Sequence, residues 1–177
     1  MKKDDVVSTG QLIALEGPKG CGKTTLIAAL SKRLDKDAQQ MRVILTKEPT
    51  PHFDLSNEQR LRGLALAQAI TEDRSRHVAE VISPALAAGH TVVCDRYILS
   101  SFVFQTLDGV SESVIWGLNS SFPPPTLNLI LRVTTEELRQ RRYRRPTATR
   151  LQAASVTEEA EACRRRLKND PLWARES

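Results

Sequence analysis

The sequence has few cysteines, few aromatic residues and no long hydrophobic run, and these shortages exclude several classes of protein. Its three cysteines lie far apart and form no CxxC pair, so we expect neither a zinc site nor a disulfide framework. This cysteine usage is typical of a reducing cytoplasm. No segment approaches the roughly 20 apolar residues of a membrane span, and the N-terminal residues lack the apolar core of a signal peptide. We therefore expect a cytoplasmic protein that does not associate with membranes.

The 177 residues are enough for one domain with a proper core, and positive charge is unevenly spread along them. The net charge is +5, and much of the excess lies in two arginine-rich segments, 139–145 and 163–168. Such segments can bind nucleic acid, but aromatic residues are not interleaved with them as in known DNA- or RNA-binding modules. The phosphates of a small molecule are an equally good target, and we do not expect a nucleic-acid partner.

Short apolar segments alternate with amphipathic ones along the chain. The apolar segments predict strands at 12–16, 42–46, 91–95 and 127–133. The amphipathic segments predict helices at 23–34, 57–68, 74–88 (kinked or split at Pro84), 98–106 and 111–118, then an arginine-rich helix that opens on a capping box at Thr134 and Glu137, and a last helix from Ser155. This alternation indicates an α/β fold, with a parallel sheet covered on both faces in a single domain over residues 1–177.

The first predicted strand runs into a glycine-rich segment, GPKGCGKTT, at residues 17–25. Its pattern, Gly17-x-x-x-x-Gly22-Lys23-Thr24, is a complete P-loop with the strand before it and the helix after it that this motif requires. Glycines let successive backbone N–H groups surround an anion, and the positive end of the helix dipole points at the same anion. The segment therefore predicts binding of a nucleoside triphosphate, with ATP as the first candidate.

Individual residues of this segment have expected roles at the triphosphate. Lys23, which we expect to be exposed in the empty loop, would reach the β- and γ-phosphates, and the Thr24 hydroxyl would ligate Mg²⁺. Asp95 ends an apolar strand, where α/β sheets place their ligand chemistry, and can hold the same Mg²⁺ or its water shell. We expect ATP contacts from Gly17, Lys19, Gly20, Cys21, Gly22, Lys23, Thr24 and Thr25.

Arg96 follows Asp95 directly and adds a fixed cation for a second phosphate. The alternative interpretations of this pair are a helix cap for Asp95 and a surface ion pair for Arg96. Around the pair the sequence resembles the thymidylate kinases, within the P-loop nucleoside monophosphate kinases. The matching segments span most of residues 11–150 in the expected order and spacing: LEGPKGCGKTT, TKEPTP (46–51), the block at 72–105, and PPPTLNLILRVTTEELRQRR (123–142).

The resemblance implies a three-layer P-loop NTPase fold whose parallel sheet has four or five strands flanked by helices. It implies transfer of the γ-phosphoryl group of ATP to a deoxynucleoside monophosphate, above all dTMP, and it also implies a homodimer. On the acceptor side it implies roles for Glu48, Pro49, Ile70, Arg74, Arg96, Ser100, Ser101 and Gln105. Among these, Arg74 and Arg96 would hold the acceptor's phosphate and base.

The same resemblance places an arginine-rich lid at about residues 139–152. Arg141, Arg145 and Arg150 match the arginine spacing of the family's lid, which closes over the transferred phosphate and would act in catalysis with Lys23 and Arg96. A glycine at position 20 matches the subgroup whose catalytic arginine sits in the lid. Planar guanidinium groups suit this role because they bridge phosphate oxygens, although a solvated helix face is the plainer interpretation of such a charge run.

Four features depart from the family's pattern. Lys19 stands where the family usually has an acid that meets the acceptor's sugar hydroxyl, and Ile70 stands where a phenylalanine stacks on thymine. Arg132 replaces an acid of the fourth strand. We also expect the family's final strand and helix, which help to enclose the adenine, to be absent. The sequence thus supports the donor chemistry better than the identity of the acceptor.

Three other functions stay open at this point. An enzyme could keep ATP and Mg²⁺ but phosphorylate another nucleotide, a nucleoside or another small molecule, as Lys19 and Ile70 would suggest. A non-catalytic nucleotide-binding relative would agree with a missing final strand, although the P-loop and the Asp95–Arg96 pair are both retained. An ATPase associated with nucleic acid would agree with the net charge.

Overall fold

The computed structural model describes residues 10–34 and 43–143, and its strands form one parallel sheet in the order β2-β3-β1-β4. The strands are β1 (Gln11–Glu16), β2 (Val43–Lys47), β3 (Thr91–Asp95) and β4 (Leu127–Ile130). The predicted parallel sheet of four strands is confirmed, and a fifth strand would lie outside the described residues. The prediction that β4 continues to residue 133 is wrong, because its neighbour β1 turns into the P-loop after Glu16 and offers no partner beyond that point.

The helices are α1 (Lys23–Leu34), α2 (Asn57–Arg60), α3 (Gly63–His77), α4 (Ser83–Ala87), α5 (Ile98–Leu107), α6 (Glu112–Asn119) and α7 (Thr135–Tyr143), with a π-helical turn (Val78–Ile82) between α3 and α4. The predicted helices at 57–68 and 74–88 have the wrong boundaries. A break at Gly63, whose φ is 51°, separates α2 from α3, and helical structure then continues without a gap through residues 68–74. Pro84 lies in the first turn of α4, directly after the π-helical turn.

The main core lies between the sheet and the helices α3, α5 and α6. The strands contribute small and branched side chains, and the helices contribute larger ones; the buried set includes Leu12, Ala14, Val92, Cys94, Ala67, Ile82, Tyr97, Phe102 and Ile115. Helix α1 packs against β2 and β3, which completes the three-layer arrangement. Within residues 10–34 and 43–143, no helix is long and apolar enough to cross a membrane.

Parallel pairing brings the carboxyl ends of three strands to one edge of the sheet. Asp95, at the end of β3, pairs with Leu15 of β1 on one side and with Lys47 of β2 on the other. The residues that follow these strands are Gly17, Glu48 and Arg96, so the predicted donor and acceptor residues start from the same edge. Ligands of α/β proteins bind outside this edge, which fixes where the functional site must be sought.

Candidate active site

The P-loop depends on glycine at positions where other residues do not fit. Gly17 has a φ of 137° and Gly22 a φ of 112°, values that side-chain-bearing residues rarely adopt. A Cβ atom on Gly17 would also lie 2.6 Å from the carbonyl oxygen of Leu131. The loop leads directly into the N-terminus of α1, so its N–H groups and the positive end of that helix can act on one anion.

Lys23 lies inside the loop and not in solvent. The residue is 6% exposed, and its Nζ donates hydrogen bonds to the carbonyl oxygens of Gly17 (2.7 Å) and Pro18 (3.3 Å). The expectation of an exposed lysine is therefore wrong, because the loop's own carbonyl groups hold the ammonium. Burial, and then the positive charge of Arg96, lower the pKa of Lys23. A phosphate in the loop would oppose both effects by supplying negative charge to the ammonium.

A polar cavity of about 220 Å³ opens beside the P-loop, lined by Lys19, Gly20, Gly22, Lys23, Thr24, Thr25, Asp95 and Arg96. We call it the donor cavity. The Oδ1 atom of Asp95 is buried and has no hydrogen-bond partner among the described residues. Burying a carboxylate oxygen without a partner costs free energy unless a ligand interacts with it. Hard cations prefer carboxylate and hydroxyl oxygens. The Asp95 carboxylate and the Thr24 hydroxyl in this cavity fit the predicted Mg²⁺ site.

Arg96 has an unusual backbone conformation for a residue with a side chain. Its φ is 72°, in the left-handed region, and its backbone N–H donates to the carbonyl oxygen of Leu15 at 3.0 Å. Its guanidinium lies 4.9 Å from the centre of the Phe104 ring, and Nη1 donates to Ser100 Oγ at 3.1 Å. Left-handed residues of this kind cost free energy and persist where the surroundings hold them, often at functional sites.

A second cavity, of about 260 Å³, lies on the other side of Arg96, and we call it the acceptor cavity. The structure brings all eight predicted acceptor residues to its wall: Glu48, Pro49, Ile70, Arg74, Arg96, Ser100, Ser101 and Gln105. Lys47, Leu55, Glu58, Tyr97 and Phe104 complete the lining. Arg96 lines both cavities, so the donor and acceptor sides of the site meet at its guanidinium.

Arg74 is engaged almost entirely with the protein. It is 2% exposed, and its Nε and Nη2 atoms bond to Glu48 Oε2 at 2.7 and 2.6 Å. Its Nη1 donates to Ser101 Oγ at 3.0 Å and to Asn119 Oδ1, and its guanidinium lies over the Tyr97 ring. A buried cation must be paired in this way to be tolerated. Arg74 thus forms part of the cavity wall and fixes its shape.

Other polar atoms in the acceptor cavity have no such partners. Gln105 is 3% exposed, yet neither its Oε1 nor its Nε2 has a hydrogen-bond partner among the described residues. The Oε2 atom of Glu58, a residue 8% exposed, is unpartnered in the same sense. Buried polar atoms in native proteins are nearly all satisfied, so these atoms indicate where a ligand completes the hydrogen bonding.

Helix α7 starts the predicted lid and packs beside the P-loop. Its capping box is confirmed, since Glu137 N donates to Thr134 Oγ1 at 3.2 Å. Leu138, 1% exposed, packs against Cys21, and Arg141 Nη1 donates to the carbonyl oxygens of Gly20 and Cys21 at 3.2 and 3.4 Å. This helix therefore delivers one of the predicted lid arginines to the donor side. Arg145, Arg150 and the rest of the lid lie outside the described residues.

Two residues that bond to the Glu48–Arg74 pair of the acceptor wall were not predicted from the sequence. Asn119, 1% exposed, bonds to Arg74 and donates through Nδ2 to the carbonyl oxygen of Ile115. His77 bonds through Nδ1 to Glu48 Oε1 at 3.0 Å and through Nε2 to Thr46 Oγ1 at 2.7 Å. Asn119 follows the buried Ile115 by four residues on α6, so its position on the inner face was readable from helical spacing.

Phosphate-binding groups on one side of a shared arginine and a separate pocket on the other side are the arrangement of a phosphotransferase. Combined with a P-loop at the start of a parallel sheet, this arrangement is that of a P-loop kinase. Comparison with known proteins specifies the family. The model of the thymidylate kinase family matches residues 15–170. The chain belongs to the thymidylate kinase family.

Individual relatives agree with this membership. A Caldicellulosiruptor saccharolyticus protein named "Thymidylate kinase" is 38% identical over 144 residues, which are 75% of this chain and 69% of the relative. A Pyrococcus abyssi protein named "Probable thymidylate kinase" is 35% identical over 143 residues, which are 72% and 67% of the two chains. The crystal structure of thymidylate kinase from Ehrlichia chaffeensis superimposes with a TM-score of 0.66 and 25% identity, over 92% of this chain and 89% of that one.

Proposed function

We propose that this protein transfers the γ-phosphoryl group of ATP to dTMP, giving ADP and dTDP. The observation that carries this proposal is that Arg96 lines both the donor and the acceptor cavity. A cation shared by two phosphate sites can hold the acceptor's phosphate while it faces the terminal phosphate of the donor. Phosphoryl transfer depends mainly on this kind of alignment and on positive charge at the spreading oxygens.

On the donor side, the P-loop backbone and Lys23 would hold the β- and γ-phosphates of ATP. The ammonium of Lys23 already lies in the loop, where it bonds to the carbonyl oxygens of Gly17 and Pro18. On ATP binding it would exchange these oxygens for phosphate oxygens. When bound, Mg²⁺ supplies further positive charge to the phosphates, and Thr24 and Asp95 are the residues that would hold it.

The remaining cations would come from the lid. Arg141 already bonds to the P-loop backbone, and Arg145 and Arg150 would follow it to the transferred phosphate. A cavity of about 720 Å³ between α1, the P-loop and α7 is lined by Leu26, Leu131 and Arg141 among others. Its apolar and cationic lining would receive the adenosine part of ATP, beside the phosphates that the loop holds.

On the acceptor side, Gln105 would read the base. Its unpartnered Oε1 can accept from the N3–H of thymine while its Nε2 donates to the adjacent O4. Because an amide can rotate by about 180°, the same side chain could also match cytosine, and family membership is what favours thymine. Ile70 would give the base apolar contact without stacking, and Ser101 lies one helical turn before Gln105 on α5.

A second acceptor is a separate candidate because of Lys19. This residue lines the donor cavity beside Lys23 and Arg96 and adds a third cation to it. An acceptor with an additional anionic group would use that charge. The P-loop chemistry would be the same, and only the acceptor preference would differ.

A coupled assay of ADP release with ATP, Mg²⁺ and dTMP, dUMP, dCMP or dGMP distinguishes these candidates. We expect kcat/KM to be highest for dTMP. Faster turnover of another acceptor would transfer the proposal to that nucleotide and make Lys19 and Ile70 its specificity determinants. The absence of turnover with all four nucleotides, while ATP still binds, would contradict transfer to dTMP and would favour a different acceptor or a role in nucleotide binding alone.

We also propose that the protein is a homodimer, as the family resemblance implies, and that it is cytoplasmic, as its cysteine usage indicates. The buried thiols of Cys21 and Cys94 are free, which supports a reducing compartment. Sedimentation of the purified protein at micromolar concentration tests the assembly, and a single monomeric species would contradict it. Cell fractionation tests the compartment in the same way.

A further inference from the structure

Glu16 is a buried carboxylate to which the proposed mechanism assigns no role. It ends β1 immediately before the P-loop and is 2% exposed. The backbone N–H of Tyr97 donates to its Oε1 at 2.8 Å, and Ser100 Oγ donates to its Oε2 at 2.6 Å. Both oxygens of the carboxylate are therefore held by the start of α5, which packs directly beyond the end of β1.

The same serine hydroxyl also bonds to Arg96. Nη1 of Arg96 donates to Ser100 Oγ at 3.1 Å, so a continuous path of hydrogen bonds leads from Glu16 through Ser100 to the guanidinium. A serine hydroxyl rotates freely unless its proton is bound, and it has one proton to donate. Because the Glu16 carboxylate takes that proton, the lone pairs of Ser100 Oγ are left to face Arg96.

Electrostatic interactions along this path also favour a charged Glu16 carboxylate beside Arg96. Burial raises the pKa of Glu16, while the Ser100 hydrogen bond and the positive charge of Arg96 favour its ionised form. The positive charge of Lys23 also lowers the pKa of Glu16, by a smaller amount. Arg96 itself is held in the left-handed backbone region, with its side chain over Phe104, at the boundary between the two cavities.

We propose that Glu16 and Ser100 are positioning residues that fix the guanidinium of Arg96 for the acceptor's phosphate. This inference rests on the proposed function, because it concerns the same cavity. Neither residue needs to touch the reacting atoms. Their effect is to keep a long and flexible side chain in one orientation at the acceptor cavity, so that less order must be imposed when the acceptor binds.

The first test is Ser100→Ala, with Thr106→Ala as the matched control. Both remove a hydroxyl from α5, but the Thr106 hydroxyl bonds only to a carbonyl of its own helix, and this residue is exposed. We expect Ser100→Ala to raise the KM for the acceptor roughly tenfold, the size typical of a lost hydrogen bond to a charged group, and to leave ATP binding unchanged. Ser100→Thr, which keeps the hydroxyl, should restore most of the affinity. An equal rise in the control variant would contradict the inference.

A double-mutant cycle tests whether Ser100 acts through Arg96. In an Arg96→Ala background, removal of the Ser100 hydroxyl should have no further effect on the acceptor's KM, and Glu16→Gln should behave in the same way. Additive effects would show that these residues act independently of Arg96. If the wild-type enzyme turns over no acceptor, the proposed function fails first, and a measurement without substrate is then decisive.

That measurement is ¹⁵N relaxation of the Arg96 guanidinium by NMR in the free protein. We expect the order parameter of the Arg96 Nε–H bond to fall in Ser100→Ala and to keep its wild-type value in Thr106→Ala. An order parameter that is the same in the wild type and in Ser100→Ala would overturn the positioning role, whatever the enzyme phosphorylates. Circular dichroism of each variant confirms that the comparison is made between folded proteins.

Discussion

At the scale of single residues, the buried charged and polar groups of this site fall into two sets. Glu48 and Arg74 satisfy each other inside the protein, with side chains 4% and 2% exposed and an N–O distance of 2.6 Å. Asp95 Oδ1 and the amide of Gln105 are buried without a partner in the described structure, and both lie in the walls of cavities. The first set stabilises the shape of the site, and the second set marks what a ligand must complete.

Glu16 gives a pH-dependent prediction at this scale. Burial raises the pKa of Glu16 above its ordinary value of 4.5, so ionising it costs more free energy in the folded than in the unfolded protein. The stability of the wild type is thus favoured below the unfolded pKa, and this contribution is lost as the pH rises through the folded pKa. Glutamine cannot ionise. We therefore expect the Tm of Glu16→Gln, relative to the wild type, to increase as the pH rises from 4.5 through the raised pKa of the folded protein.

Thermal unfolding followed by circular dichroism at several pH values measures this difference. Glu80→Gln, which removes an exposed carboxylate from the π-helical turn, is the control for the general effect of lost charge. A Tm difference for Glu16→Gln that stays constant with pH, or that shifts in favour of the wild type as the pH rises, would contradict the burial argument.

At the scale of secondary-structure elements, the sequence predicted the strands better than the helix boundaries. β3 agrees at both ends with the predicted 91–95, since a short apolar run between a glycine turn and an acid has little freedom in its limits. The helix boundaries between residues 57 and 88 failed because tertiary packing decided them. A π-helical turn connects α3 to α4 without a break, and residue propensities do not predict such a turn.

The candidate site was predictable where its residues share one element. Ser101 and Gln105 are four residues apart on α5, so a prediction that places one at a cavity also places the other. The contacts of Arg74 could not be predicted, because they join the segment after β2 to α5 and α6 through side chains 26 to 45 residues apart. The predicted exposure of Lys23 was wrong for a similar reason, because its ammonium bonds to carbonyl groups of the folded loop.

At the scale of the whole molecule, function follows from two cavities that open at one edge of the sheet. The P-loop follows β1, the Asp95–Arg96 pair follows β3, and Glu48 follows β2, so three neighbouring strands contribute to a continuous site. The net charge of +5 did not distinguish this arrangement from a nucleic-acid-binding surface. The geometry around Arg96 supports a small-molecule site, because it places a cation between two small pockets.

A ligand that joins adenosine and thymidine through a chain of phosphates should occupy both cavities at once. Because one molecule then loses its freedom of motion once instead of twice, we expect it to stabilise the protein more than ATP and dTMP together at the same concentrations. At a concentration one hundred times its Kd, we expect this ligand to raise the Tm by roughly 5–10 °C above that of the ligand-free protein, for a chain of this length.

Differential scanning fluorimetry measures this shift, and Arg96→Ala should remove most of the difference in Tm between the joined ligand and the separate nucleotides. An advantage that survives this substitution would show that the two cavities are not joined through Arg96, and a joined ligand no better than ATP alone would show that the acceptor cavity does not take thymidine.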